Sequence, residues 1–104
     1  MQELRYNEIS HRLHIHKKAK GVMKYDIEFK PQALKDGKKI PKQHLKRIFS
    51  KLERLSDGLQ GDVKHLTDFS PEYRLRVGEY RVLFEIDAET IIIYRIRHRK
   101  DVYR

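Results

Sequence analysis

The sequence predicts one α+β domain in which an antiparallel sheet carries a helical hairpin on one face. Two observations lead to this fold class. An apolar stripe at helical spacing marks the first half of the chain, and three segments of alternating polar and apolar residues, joined by short links, mark the second half. Residues 24–29 add one alternating segment before the helices, so the predicted element order is β-α-α-β-β-β. A chain of 104 residues has room for one such domain.

The predicted hairpin consists of two helices, each opened by a proline. Pro31 suits the first position of a helix over residues 31–39, which Gly37 weakens by about 1 kcal/mol relative to alanine. Pro41 opens a longer helix that ends near Gly58, because glycine favours the left-handed conformation that commonly follows a helix. Its apolar stripe consists of Leu45, Ile48, Phe49, Leu52, Leu55 and Leu59. The opposite face is basic and carries Lys42, Lys46, Arg47, Lys51 and Arg54.

Three predicted strands follow the hairpin and form a meander. They cover residues 73–77, 80–86 and 90–98, and the links between them are short enough for antiparallel turns. The segment between the second helix and these strands is predicted to be a loop, built on Gly61, Asp62, Asp68 and the Ser70-Pro71 pair.

The composition favours a protein that binds a polyanion. Lys and Arg number 24 against 15 Asp and Glu, which gives a net charge of +9. The chain has no cysteine, which excludes disulfides, a thiolate nucleophile and a cysteine-based zinc site. Its longest aliphatic run, Ile91-Ile92-Ile93, is too short to span a bilayer, and the N-terminus lacks the apolar core of a signal peptide. We therefore expect a soluble, cytoplasmic protein with no membrane partner.

Residues 1–22 are interpreted as a basic N-terminal extension, and residues 23–104 as the domain. The extension has no clear periodicity and indicates no role of its own. It contains His11, His14 and His16, but their spacing matches no defined zinc motif. No metal site and no cofactor are therefore predicted.

Arginine dominates the basic residues of the last third of the chain. Side chains at alternate strand positions share a face, so the first and last strands of the meander each present arginines on one face. The middle strand adds one more, directly after the Gly78-Glu79 turn. These residues are Arg74 and Arg76 on the first strand, Arg81 on the middle strand, and Arg95, Arg97 and Arg99 on the last.

The alternative interpretation of these arginines is a set of ion pairs across the strands. The available partners are Glu79, Glu85 and Glu89, and Arg95 is the arginine that we expect to be paired in this way. Three carboxylates cannot neutralise all of the arginines. The pattern therefore favours a phosphate-binding face, because the guanidinium group matches phosphate geometry.

Three segments of the sequence closely resemble the RelE toxins of bacterial and archaeal toxin–antitoxin systems. The first is Gly61-Asp62-Val63-Lys64-His65-Leu66. The second runs from Tyr73-Arg74-Leu75-Arg76-Val77-Gly78 through Tyr80-Arg81-Val82 to Asp87. The third is His98-Arg99-Lys100-Asp101-Val102-Tyr103-Arg104. The resemblance covers residues 23–104 and implies the RelE-like fold.

The resemblance also implies a function, that of a metal-independent, ribosome-dependent mRNA endoribonuclease. Such a toxin enters the A site of the small ribosomal subunit, contacts rRNA, and cuts the mRNA codon there by attack of a 2′-hydroxyl group on the next phosphate. A cognate antitoxin protein blocks it. By position in the family motifs, the catalytic residues are Arg74, Arg76, Arg81, Arg99 and Tyr103. The residues expected to contact RNA are Lys64, Arg97 and Lys100.

Two other functions remain open at this stage. A ParE-like toxin has the same fold but acts on DNA gyrase, and such chains lack the terminal His98-to-Tyr103 constellation. A non-catalytic nucleic-acid-binding module is the function that composition alone favours.

Overall fold

The computed structural model describes residues 12–13 and 24–101, which form two helices and one sheet of six strands. The helices are α1 (Pro31–Lys38) and α2 (Lys42–Ser56). The strands in chain order are β1 (Arg12–Leu13), β2 (Asp26–Phe29), β3 (Val63–His65), β4 (Tyr73–Val77), β5 (Tyr80–Asp87) and β6 (Thr90–His98). They lie side by side in the order β1-β2-β6-β5-β4-β3.

The core lies between the helical hairpin and one face of the sheet, which we call the helix face. Both helices of the described chain pack there, and we call the other side the open face. From the helices, Ala33, Ile48, Leu52 and Leu55 are buried. From the sheet, the buried members are Ile27, Phe29, Leu75, Val77, Val82, Phe84, Ile91, Ile93 and Ile96. Side chains at the intervening strand positions are thereby directed to the open face.

The α+β class, the hairpin on one face and the antiparallel meander β4-β5-β6 are confirmed. One pair of strands outside the predicted meander is parallel. β2 runs parallel to β6, from Asp26 opposite Thr90 to Phe29 opposite Ile93. Parallel neighbours require a long crossover, and the helices together with the remaining strands supply it.

Phe49 is the most exposed member of the predicted apolar stripe, in which Leu45 and Leu59 are half-buried. Its side chain is 44% exposed, whereas Ile48 and Leu52 are fully buried. Phe49 meets Phe29 edge to face, with ring centroids 6.1 Å apart, at the margin where α2 faces α1. Together with Leu34 and Leu45 it lines an open apolar groove of about 350 Å³ between the two helices.

The predicted loop between α2 and β4 contains a strand. Its residues form β3, which pairs antiparallel with β4 from Val63 opposite Leu75 to His65 opposite Tyr73. The chain enters this strand through Gly61, whose φ of 134° is accessible to glycine. A Cβ atom at Gly61 would lie 2.8 Å from Leu75 Cδ1, so this approach to the core requires the missing side chain.

Part of the predicted N-terminal extension joins the sheet. Arg12 lies opposite Glu28 and Leu13 opposite Ile27, so β1 covers the outer edge of β2. The domain boundary at residue 23 stays a prediction, as do the interpretations of the other extension residues, which lie outside the described part of the chain. Among the described residues, no helix combines the length and the apolar character that crossing a bilayer requires.

Candidate nucleic-acid interface

Three arginines from three neighbouring strands stand side by side on the open face. Arg76 of β4 is directly opposite Arg81 of β5, and Arg81 is directly opposite Arg97 of β6. Directly opposed residues of antiparallel strands project from the same face, with Cβ atoms about 5 Å apart. We call Arg76, Arg81 and Arg97 the arginine row.

A second line of side chains extends the positive surface towards the sheet edge. Lys64 of β3 is directly opposite Arg74 of β4, which shares the face of Arg76 because it lies two residues away. Arg74 is in turn opposite Leu83 of β5, which packs under Leu66. The Arg74 Nε atom is buried and has no hydrogen-bond partner among the described residues. An unpaired buried donor is costly, so a bound anion that accepts from it would be favoured.

Arg81 is held in place by the β4–β5 turn. Its Nη1 atom donates hydrogen bonds to the carbonyl oxygen of Gly78 at 2.8 Å and to that of Tyr80 at 2.9 Å. The turn needs the left-handed conformation at Gly78, where φ is 59°. Gly78 therefore determines the turn locally, and the carbonyl oxygens of the turn orient the guanidinium group of Arg81.

The electrostatic surroundings of Arg81 are dominated by other cations. Burial lowers the pKa of Arg81, and three neighbouring guanidinium groups lower it further: in decreasing order, those of Arg76, Arg74 and Arg99. The negative charge of Glu79, by contrast, raises the pKa of Arg81. Arginine remains protonated even so, which makes this group an electrostatic stabiliser and not a proton carrier.

The arginine row is unfavourable for folding. Like charges placed directly opposite each other destabilise a sheet. Among the residues that the structure describes, no ion pair joins Arg74 or any member of the row to a carboxylate. A group of strand-held cations of this kind is suited to binding an anion that approaches from solvent.

Arg99 follows the end of β6 and lies beside the same turn. Its backbone N–H donates to the Glu79 carbonyl oxygen at 2.7 Å, and its Nη1 atom is 3.5 Å from Glu79 Oε1. Both side chains are more than half exposed, so this ion pair is weak and an anion can compete with it.

Arg95 is paired, as predicted, but its partner is not one of the three expected glutamates. Its Nε and Nη2 atoms donate to the two carboxylate oxygens of Asp36 in α1, at 2.8 and 3.0 Å. The Ile96 N–H also donates to Asp36 Oδ2, at 2.9 Å, where β6 extends beyond its pairing with β2. The bond to Asp36 raises the pKa of Arg95. A β-bulge in the pairing beside Leu83 and Phe84 interrupts the alternation of faces along β6, so Arg95 does not continue the pattern of the residues before it.

The expected partner Glu85 is engaged elsewhere. Its carboxylate accepts hydrogen bonds from the Tyr94 hydroxyl at 3.3 Å and from the Ser70 hydroxyl at 3.4 Å. Burial, followed by the charge of Glu85, raises the pKa of Tyr94. This carboxylate therefore stabilises the neutral phenol and leaves the arginine row without a partner from that side.

The remaining predicted site residues lie at the end of β6 or after it in the chain. Lys100 is exposed in the turn after β6, and its N–H donates to His98 Nδ1 at 3.2 Å. His98 lies on the helix face, as strand alternation predicts, with its ring edge on Tyr80. Tyr103 lies outside the described residues. The described part of the chain contains no cluster of His, Asp and Glu that could hold a metal ion, and the three extension histidines fall outside it.

Two residues that matter to this surface were missed by the sequence interpretation. Arg47 was assigned to a solvated helix face, yet its Nη1 atom is 3.2 Å from the position that a Cβ atom of Gly78 would take. The ion pair of Asp36 could not be predicted from the residues around it, because its partner Arg95 lies on a strand that is distant in sequence.

The fold and the cluster of guanidinium groups define a class: small α+β domains in which the sheet face away from the helices is cationic. A sequence model described as "ParE toxin of type II toxin-antitoxin system, parDE" matches residues 27–103. This match shows that the chain belongs to the RelE/ParE toxin superfamily. The relatives and solved structures described next are RelE toxins, so the chain belongs to the RelE family and is the toxin of a RelBE-type toxin–antitoxin system.

Curated relatives carry matching names. "Toxin RelE3" of Methanocaldococcus jannaschii is 35% identical over 82 residues, which cover 74% of this chain and 93% of the relative. "Toxin RelG" of Mycobacterium tuberculosis is 32% identical over 88 residues, which cover 79% of this chain and 99% of the relative. The recognition made from the sequence motifs is confirmed.

Solved structures agree with this assignment. The RelB–RelE antitoxin–toxin complex from Methanococcus jannaschii contains a chain that is 35% identical, with a TM-score of 0.62 over 72% of this chain and 93% of that one. The archaeal RelE–RelB complex from Pyrococcus horikoshii contains a chain that is 25% identical, with a TM-score of 0.63 over 77% of this chain and all of that one (100%).

Proposed function

We propose that this toxin is an mRNA endoribonuclease that acts in the ribosomal A site, without a metal ion, through attack of the mRNA 2′-hydroxyl group. The observation that carries the proposal is the arginine row together with Arg74, a group of guanidinium side chains that strands hold in fixed relative positions and that pair with no carboxylate of the described residues. A site built on strands is more precise than one built on loops. That precision suits one phosphate group at a defined position.

The chemistry of this cleavage accounts for the prevalence of arginine. The 2′-hydroxyl group loses a proton and its oxygen attacks the adjacent phosphorus. The bond from phosphorus to the 5′ oxygen breaks, and that oxygen takes up a proton. The products are a 2′,3′-cyclic phosphate and a 5′-hydroxyl end. Negative charge increases on the phosphoryl oxygens in the transition state, so preorganised cations lower the barrier without carrying a proton.

Each predicted residue receives a role in this proposal. Arg74 and Arg76 flank the scissile phosphate, and Arg81 reaches the phosphate or the leaving oxygen. Arg99 stabilises charge once RNA displaces Glu79, and Tyr103 orients or deprotonates the 2′-hydroxyl group. Three further cations contact the RNA on either side: Lys64, Arg97 and Lys100.

A cognate antitoxin is the second proposed partner. The structural neighbours from two archaea and from Mycobacterium tuberculosis were solved as toxin–antitoxin complexes, according to their titles. The antitoxin of this toxin is proposed to cover the arginine row with acidic side chains, which would neutralise the charges that the sheet leaves unpaired. A ribosomal substrate also implies that the toxin acts in the cytoplasm.

Cleavage of mRNA on programmed ribosomes tests the proposal. Purified toxin is incubated with ribosomes that hold a defined codon in the A site, and the new 5′ ends of the mRNA are mapped. A cut within that codon, with a 5′-hydroxyl end, is expected. Binding to ribosomes without any cut would favour the non-catalytic module. Inhibition of DNA gyrase by a protein that leaves the mRNA intact would favour the ParE-like alternative.

Single-turnover rates at saturating ribosomes separate the catalytic role from binding. Arg81→Ala and Arg99→Ala are each expected to lower the rate by about 10²–10³-fold, the usual loss when one transition-state donor is removed. Arg54→Ala, which removes a guanidinium group from the exposed face of α2, serves as the matched control and is expected to cut at the parent rate. If both site variants cut at the parent rate, the arginines have no catalytic role.

A further inference from the structure

A cleft on the helix face adjoins the end of the arginine row but is not part of it. It has a volume of about 210 Å³ and lies between α2 and the β4–β5 turn, next to the end of β6. Its lining includes His44 and Arg47 from α2, Tyr80 from β5 and His98 from β6. A second cleft of about 270 Å³ continues from it, and Tyr80 and His98 line both.

Three aromatic rings form the wall of this cleft. The Tyr80 ring contacts two imidazoles: its centroid is 5.6 Å from that of His44, at a tilt of 45°, and 5.5 Å from that of His98, edge to face. All three side chains are half-buried, so each ring has an accessible part. Accessible aromatic rings are the platforms on which proteins stack the bases of single-stranded nucleic acid.

Arg47, the cation of the cleft, lies at the same β4–β5 turn that Arg81 of the arginine row contacts. Arg47 lies over Gly78 on the helix face, with Nη1 3.2 Å from the position of a Cβ atom there. On the other side, Arg81 donates to the Gly78 carbonyl oxygen at 2.8 Å. Two guanidinium groups thus bracket one turn from opposite faces of the sheet.

We propose that this cleft binds one nucleotide of a single-stranded RNA that passes around the β4–β5 turn. The base stacks on the accessible part of the Tyr80 ring, beside the two imidazoles, and the phosphate of that nucleotide pairs with Arg47. The neighbouring phosphates then lie along the arginine row. This inference rests on the proposed RNA-binding role of that row.

The chemistry of the cleft favours a nucleotide over a protein segment. Its cation and rings suit a phosphate and a base, whereas the site that suits an apolar helix is the separate groove around Phe49. Two carboxylates at the rims of the clefts do not oppose this: the Glu79 side chain is 61% exposed, so solvent screens its charge, and Asp101 lines only the second cleft.

Binding of a short single-stranded RNA to the full-length toxin tests the cleft. The probe contains 2-aminopurine and 2′-O-methyl riboses, which prevent cutting. Tyr80→Leu is expected to abolish the fluorescence quenching caused by stacking and to weaken binding by about 5- to 150-fold, the range for one stacked base. Tyr80→Phe keeps the ring and is expected to behave like the parent.

The salt dependence of binding tests Arg47. Arg47→Ala is expected to reduce the log–log salt slope by about 0.7, the value for one phosphate contact on a single strand. Arg54→Ala removes the same group elsewhere on α2 and is expected to leave the slope unchanged. Arg47 is exposed, so its variant is informative even if Tyr80→Leu fails to fold.

The outcomes separate this inference from the proposed function. If the parent cuts A-site codons while Arg47→Ala and Tyr80→Leu bind the probe like the parent, the cleft proposal is overturned and the function stands. If those two variants lose binding while the parent cuts no mRNA, the cleft is supported and the proposed catalysis fails. If they lose only the affinity for an antitoxin, the cleft serves a protein and the proposal is again overturned.

Discussion

Replacing Arg76 by glutamine is expected to stabilise the fold and to impair cleavage in the same protein. Arg76 is directly opposite Arg81 and has no carboxylate partner among the described residues. If the two charges are as far apart as opposed Cβ atoms, about 5 Å, they repel in water by about 0.8 kcal/mol, which agrees with the cost of opposed like charges in sheets. Arg76→Gln keeps most of the side-chain volume and removes the charge.

The expected gain in the free energy of unfolding is about 0.5–1 kcal/mol at low salt. For a domain of this size that corresponds to a rise in Tm of about 2–8 °C. The gain is expected to shrink at about 1 M salt, where the screening length is about 3 Å. The single-turnover cleavage rate is expected to fall by about 10²–10³-fold. Thermal and urea unfolding at two salt concentrations, together with cleavage on programmed ribosomes, measure both effects.

Arg99→Gln provides the comparison, because Arg99 has an acidic neighbour. Its exposed pair with Glu79 contributes about 0–1 kcal/mol, so this variant is expected to be unchanged or slightly less stable than the parent, while it too loses cleavage activity. If Arg76→Gln is instead less stable than the parent at low salt, the repulsion inferred from the register is wrong. If its stability rises but cleavage is unaffected, the row is not part of the catalytic site.

Three further predictions concern the rest of the chain. Asp36→Ala is expected to lower the free energy of unfolding by about 2–4 kcal/mol, and urea unfolding measures this loss. The loss is somewhat smaller than the loss from breaking a fully buried ion pair, because the Arg95 side chain is 33% exposed. Deleting residues 1–22 is expected to leave cleavage intact, because the motif residues all follow them; inactivity of a truncated but folded protein would contradict this. The raised pKa of Tyr94 stabilises the fold below about pH 10, and this contribution is lost as the pH rises through the folded-state pKa. Tyr94→Phe has no ionisable hydroxyl, so its stability is expected to fall less steeply at alkaline pH than that of the parent. Unfolding measured across this pH range checks the prediction.

The sequence by itself determined the two helices, the strands β2, β4, β5 and β6, and the sides of β4 on which its side chains lie. A strand has a period of two, so Leu75 and Val77 had to share one side while Arg74 and Arg76 took the other. The stripe of α2 likewise determined that Ile48, Leu52 and Leu55 reach the core, whereas Phe49 lies at its margin. These are local properties, because they depend only on the geometry of one element.

Only the tertiary structure decided which strands became neighbours and in which register. The parallel pairing of β2 with β6, the alignment of Arg76, Arg81 and Arg97 in one row, and the reach of Asp36 to Arg95 all join segments that are distant in the chain. A shift of one residue in register would have left each strand's own alternation unchanged and moved the arginines out of line. The row therefore depends on how the whole apolar face packs against the helices, which no single segment specifies.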